Sequence, residues 1–285
     1  MKRSDLVLSL GQRLLLLLFI FIVCYGITLL GVVFLTKLLS DRPDAALRIG
    51  AVLQDLLSFI VPAVATAVIV TRKPAELLCL QSKPSLRTFA LIIAMLIVSV
   101  PIQENIIYWN YYLELPSAFD GIAHSARQLE DTNFETMRIL LGDQSVIALI
   151  VNLLIVGVAA GFSEELLFRG CFQRLLTTGG INVHVAIWTV AFIFSAMHFQ
   201  FYGFVPRMLL GAYFGYLLLW TRSLWAPILA HVLNNTMFVV MAWKTVHAGE
   251  PLTNEPVLYE WPLAVGSAAL SALILLIFYK YRKQS

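Results

Sequence analysis

The stretch VIALIVNLLIVGVAAGFSEELLFRGCFQRL, Val146–Leu175, decides the fold. It is long and apolar enough to cross a bilayer, since about 20 mostly apolar residues span a hydrocarbon core of about 30 Å. Yet it holds Glu164, Glu165 and Arg169 well inside the run. An ionisable side chain at the centre of a membrane helix costs roughly 2.5–3.5 kcal/mol on the insertion scale. A chain that keeps such groups has a use for them, and the default expectation is a functional site whose members are each other's partners.

Outward from that stretch, the rest of the chain has the same character. Hydrophobic residues make up 59% of the 285 and charged residues 13%, about half the charged share of a soluble domain. Eight candidate spans follow: Leu14–Leu35, Ala51–Val70, Thr88–Ile107, Val146–Leu175, His184–Phe199, Phe204–Thr221, Ser223–Trp243 and Trp261–Tyr279. The expected fold is an all-α polytopic membrane protein of about eight transmembrane helices, with its core in helices 4–7. Its divisions are 1–145 (helices 1–3 and an acidic outer loop), 146–243 (the core) and 244–285 (an outer loop and a last helix). The uncharged run of the first span is longer than a signal-peptide core and lacks a small-x-small cleavage pattern, so it is read as a retained helix. Cys24, Cys79 and Cys171 have neither CxxC nor zinc-type spacing and are assigned no disulfide and no metal.

Basic residues set the orientation. With the N-terminus inside, 13 of the 20 Lys and Arg fall in cytoplasmic segments, among them Lys2, Arg3, Arg72, Lys73, Lys83, Arg87, Arg174, Arg222 and Lys283. Arg207 falls in an outer segment. Both termini are expected in the cytoplasm and the protein in a cell inner membrane. The net charge of +3 is explained by topology and gives no reason to invoke nucleic acid. The largest loop, from about Trp109 to Ser145, is acidic. Its end, Asn133–Leu141, is expected to form a short amphipathic helix with Phe134, Met137 and Leu140 on one side, either joining two spans at the interface or covering a cavity. No internal repeat supports a repeat-built transporter.

Helix geometry brings four polar groups to one depth. At 1.5 Å per residue, Glu164 and His198 lie roughly 18 and 21 Å from the turn Thr177–Val183 that joins their helices. His231 and Asn235 lie roughly 14 and 20 Å from the turn at Arg222. His231 and Asn235 share a helix face, as do Glu165 and Arg169. Glu165 can thus pair with Arg169, leaving Glu164 free to face a cavity. Gly157–Gly161 and Gly211–Gly215 are small-xxx-small faces that permit close helix approach.

Glu-Glu-x-x-x-Arg at Glu164–Arg169, Phe-x-x-x-His at Phe194–His198 and His-x-x-x-Asn at His231–Asn235, in this order, resemble the CPBP family of intramembrane proteases. That family comprises the CAAX prenyl endopeptidase type II and bacteriocin-processing (Abi) proteins. The resemblance runs from about Val146 to Val240. It implies an eight-helix protein that hydrolyses a peptide bond at the membrane in a membrane-associated or prenylated substrate. The family's roles fall on Glu164 and His198, which activate water, and on His231 and Asn235, which hold the oxyanion. Glu165, Arg169 and Phe194 complete the motifs.

The chemistry of these residue types agrees. A carboxylate withdrawn from bulk water is a stronger base, a neutral imidazole passes a proton, and an amide donates to a developing oxyanion. No cofactor is expected. Zinc held by Glu164, His198 and His231 is the alternative, against which stands the absence of a His-Glu-x-x-His signature. Ser163 and Ser195 do not lie in a nucleophile-elbow sequence. Two non-proteolytic readings stand beside the enzyme: a membrane scaffold or immunity protein of the same fold that binds a partner, and a proton-coupled carrier. Asp55 and Glu104 are expected near span ends at the interface. The substrate and the oligomeric state are not legible.

Overall fold

The computed structural model describes residues 6–282; Lys2, Arg3 and Lys283, counted above for orientation, lie outside that range. Among the described residues the chain is helical and has no strand. Helix α1 spans Leu10–Leu38, α2 Pro43–Val70, α3 Leu86–Val98, α4 Val100–Tyr111 and α5 Asp120–Leu141. Helix α6 spans Val146–Thr178, α7 Val183–Ala196, α8 Phe204–Thr221, α9 Trp225–His247 and α10 Trp261–Arg282.

Local chemistry sets the boundaries. Ser9 and Gln12 form a reciprocal capping box at the start of α1. Ser85, Ser145 and Asn182 accept from backbone N–H groups in the first turns of α3, α6 and α7. Pro43 opens α2, where a missing N–H costs nothing.

Among the described residues six helices are long and apolar enough to cross a membrane, and α3 with α4, bent by 50° at Ser99, makes a seventh if the pair is one span. The remaining expected span is present as a shorter apolar helix. The span expected at His184–Phe199 is the 14-residue helix α7, only about 21 Å long against a core of about 30 Å. It stops because the chain turns at Met197–Phe199, where Phe199 has a φ of +53°. The outer faces of α1 and α10 expose Leu15, Phe19, Leu30, Val265 and Leu273, the surface that lipid covers.

Helix α6 is the axis of the bundle. It packs against α2, α7, α8 and α9, while α10 closes the outside over α3 and α4. Leu167, Phe168, Cys171 and Leu175 of α6 join Ala63 and Ala67 of α2 and Val190 of α7 in the main apolar cluster. Gly161 makes the α6–α9 approach possible: a Cβ there would lie 3.0 Å from the backbone nitrogen of Val232. Between α4 and α6, α5 covers the whole of 120–141 rather than only 133–141. Asp120 in its first turn and Arg138 in its last complement the helix dipole. Leu140 and Leu141 are buried against Val239 of α9, with Met137 packed beside them.

Candidate functional site

Three π-helical stretches widen the backbone around the centre of the bundle: Asp55–Ile60 in α2, and Leu153–Ala159 and Leu166–Gln173 in α6. Such turns are frequent at functional sites. Here the Val156 carbonyl, within the second stretch, accepts the Asn235 amide at 3.1 Å.

The polar centre is built on α6. Glu165 and Arg169, four apart, are both fully buried and form an ion pair with Arg169 Nη1 2.6 Å from Glu165 Oε1. Arg169 Nη2 also donates to the Gly211 carbonyl of α8 at 2.8 Å. A Cβ on Gly211 would sit 3.1 Å from both Arg169 Nη2 and Phe194, so the glycine is what lets the guanidinium reach its backbone. The Arg169 guanidinium lies 4.5 Å from the Phe194 ring and 5.3 Å from Phe214, and cations are attracted to aromatic faces at such distances. The pairing of Glu165 with Arg169 is the one the sequence spacing predicts.

The histidines complete the cluster from two other helices. His231 Nδ1 lies 2.9 Å from Glu165 Oε1, a contact the sequence analysis does not anticipate. Its Nε2 faces Glu164, 3.9 Å from Oε2. The His231 ring stacks on Phe214 at 4.9 Å and meets the edge of Phe194 at 5.9 Å. His198 lies in the turn just after α7, and its Nδ1 is 2.7 Å from the Phe194 carbonyl. A carbonyl only accepts, so Nδ1 carries the proton and Nε2 keeps its lone pair. Phe194 also touches the His198 ring at 5.0 Å and so stands between the two histidines. His198 makes no hydrogen bond or ion pair with Glu164; the two are linked through the groups they share, since His231, Arg169 and Arg207 act electrostatically on both.

Buried polar atoms are normally satisfied. Around this cluster Glu164 Oε2, Glu165 Oε2, Asp55 Oδ2, Arg169 Nε and Arg207 Nη1 are all buried without a hydrogen-bond partner. The molecule thus concentrates unspent donors and acceptors in one place. Asn235 keeps its second amide N–H, and its oxygen lies 3.4 Å from Asn234 Nδ2. Among the described residues no three His, Cys, Asp or Glu side chains converge as metal ligands.

Three further residues belong to the site that the sequence analysis places elsewhere. Asp55, expected at an interface, is 6% exposed and accepts the Ser163 hydroxyl at 2.7 Å, next to Glu164. It lies deep because α2 begins at Pro43, not near Ala51. Pro43 is the helix-start signal that reveals this. Arg207, counted as an outer-loop cation, lies on α8 and donates to Gln200, within electrostatic reach of Glu164 and His198. Glu130, on α5, accepts the Tyr202 N–H at 3.0 Å and the Gln200 amide at 3.4 Å. Arg127 stacks over the Tyr202 ring at 3.3 Å. Helix α5 is therefore fastened to the segment that follows His198. The carboxyl of Glu130 is held above its ordinary range, chiefly by burial, against lowering by the Tyr202 N–H, Arg207 and Arg127.

Fold and site define a polytopic α-helical membrane protein with a buried Glu-His-Asn-Arg centre. Residues 146–237 match the family model described as Type II CAAX prenyl endopeptidase Rce1-like, in agreement with the CPBP resemblance of the motifs. The chain is also similar to the uncharacterized protein YpbD of Bacillus subtilis (strain 168), 31% identical over 81 residues. That match covers 27% of this chain and 38% of YpbD, so less than half of that relative is represented. No solved structure matches.

Proposed function

We propose that this protein is an intramembrane endopeptidase of the CPBP type, which hydrolyses a peptide bond of a membrane-associated or prenylated, CAAX-type substrate with water activated by glutamate. The observation that carries the reading is Glu164 Oε2: a carboxylate oxygen buried in the bundle, without a hydrogen-bond partner, 3.9 Å from an imidazole nitrogen. The family match over 146–237 supports it.

In this mechanism Glu164 takes a proton from water, whose oxygen attacks the scissile carbonyl, and His198 Nε2 holds the same water. The tetrahedral oxyanion receives hydrogen bonds from the free amide N–H of Asn235 and from His231. Glu165 accepts from His231 Nδ1 and so fixes the ring with Nε2 facing Glu164 and the reaction. Arg169 fixes Glu165 in turn. Glu164 returns its proton to the leaving amine as the C–N bond breaks. Removing one oxyanion donor costs about 2.7–4 kcal/mol of barrier where measured. Residues 146–243 form the catalytic core, both termini face the cytoplasm of a cell inner membrane, and no metal takes part.

The test is incubation of wild type, Glu164→Ala and Asn235→Ala in nanodiscs with membrane-anchored and prenylated peptides, read by mass spectrometry. Wild-type cleavage, none by Glu164→Ala and a low residual rate for Asn235→Ala are expected. Equal residual rates for the two variants refute the roles. Absence of cleavage by folded wild type moves the weight to a scaffold or immunity protein, and partner capture then becomes the assay.

A further inference from the structure

A second polar cavity lies at the far end of the bundle from His198. It has a volume of about 440 Å³ and is lined by Glu76, Ser82, Gln173, Arg174 and Arg222 among others. Three connections meet there: the segment after α2, the turn between α6 and α7, and the turn between α8 and α9.

Its wall is fixed through its carbonyls. Leu77 O accepts from Arg174 Nε at 3.1 Å, Cys79 O from the Leu224 N–H at 2.9 Å, Leu80 O from Trp225 Nε1 at 3.0 Å, and Ser82 O from the Ser223 hydroxyl. The backbone acceptors that would repel an anion are thus spent on the protein. Arg222 makes no side-chain hydrogen bond or ion pair, and Arg174, whose Nε is spent on Leu77, lines the cavity with it. The one acid, Glu76, is 3.7 Å from Lys73.

Two features point to a ligand. Arg222 ends α8 in the left-handed conformation, φ +53°, where glycine or asparagine is favoured and a long side chain is strained. An arginine held at a strained position beside a cavity is an outlier of the kind that clusters at binding sites. The second is Gln173, 2% exposed. Its Nε2 donates to the Gly215 carbonyl at 3.1 Å, which fixes the amide's orientation and leaves Oε1 buried with no donor. The cavity therefore offers cations for an anion, while Gln173 Oε1, walled in beside Gly215, is an unspent acceptor behind its lining.

We propose that this cavity binds the phosphate of an anionic phospholipid headgroup, held by Arg174 and Arg222. Trp220 and Trp225 flank the turn at Arg222, and tryptophan marks the headgroup level of a bilayer. Arg72, Lys73, Lys83 and Arg87 lie on the same connections, the arrangement in which basic pockets between helices take anionic headgroups. The volume has room for a glycerophosphate-sized group.

The test compares wild type with Arg222→Gly, a change that suits the backbone, and with Lys37→Ala near the opposite end of α1. Each is placed in phosphatidylcholine nanodiscs with graded phosphatidylglycerol, and retained lipid is counted by native mass spectrometry. Wild type is expected to retain phosphatidylglycerol over phosphatidylcholine, Arg222→Gly to bind it about fivefold more weakly, and Lys37→Ala to match wild type. Glycerol 3-phosphate is added to lipid-free protein in detergent as a parallel arm. A thermal shift equal to that given by phosphatidylglycerol assigns the site to a soluble phosphate, and a smaller one assigns it to lipid. Unchanged phosphatidylglycerol retention in both Arg222→Gly and Arg174→Gln, with both folded, overturns the proposal.

Discussion

Replacing Arg169 by methionine tests the centre of the site most directly. Both members of its ion pair are fully buried, at 2.6 Å, and Arg169 also holds the Gly211 carbonyl at 2.8 Å. Arg169→Met keeps an unbranched apolar stem and removes the charge, which leaves Glu165 buried with His231 as its remaining partner. Breaking a buried pair from one side costs about 3–5 kcal/mol, whereas replacing both charges by apolar side chains of similar volume is often neutral. Glu165→Leu with Arg169→Met is therefore expected to recover most of the stability lost by Arg169→Met alone. It also removes the acceptor of His231 Nδ1, at a further cost of about 1–3 kcal/mol for the orphaned donor. Stability is read by denaturant unfolding in mixed micelles, extrapolated linearly, and activity by the peptide assay. The double variant is expected to be folded and inactive, because nothing then fixes the His231 ring. An Arg169→Met protein within about 1 kcal/mol of wild type refutes the energetic argument, and an active double variant refutes the orienting role of Glu165.

Other outcomes follow from single positions. Gly161→Ala places a Cβ 2.9–3.1 Å from Val232 atoms, backbone included, and is expected to destabilise by about 1–3 kcal/mol and reduce activity through the adjacent His231. Gly26→Ala, with nothing within 4 Å, is expected to be neutral or slightly stabilising in the same unfolding assay. Glu130 has its folded pKa raised, so the docked state of α5 holds the proton more tightly than the undocked one. Docking is then strongest below the ordinary carboxylate pKa and weakens as pH rises through the raised value. Amide exchange of 120–141, corrected for intrinsic rates, should show protection falling over that window in wild type and flat in Glu130→Gln. Activity is expected to survive exhaustive chelation; loss with chelator and recovery with zinc would establish a metal mechanism at Glu164, His198 and His231.

The class of fold and the register of the central helix are legible in the amino-acid order alone. Apolar runs of bilayer length and the 3.6-residue period are local properties, so α6, α8 and α9 are legible from hydropathy, and the i,i+4 pairing of Glu165 with Arg169 from spacing. Family likeness in Glu164–Arg169, Phe194–His198 and His231–Asn235 was equally a matter of sequence order. Which buried groups meet depends on how the helices pack. Hydropathy measures depth and carries no azimuth, so it placed Glu164, His198, His231 and Asn235 in one layer but did not reveal that His231 Nδ1 takes Glu165. Nor did it reveal that Phe194 stands between the histidines. The shortness of α7 depends on a turn at Phe199 stabilised from outside its own helix, by Glu130 and Asn110 on the segment that follows. Asp55 reads as interfacial and Arg207 as an outer-segment cation because each lies near the end of an apolar run. They come inward because the bundle supplies partners, a hydroxyl from Ser163 and an amide from Gln200, that no window along the chain contains.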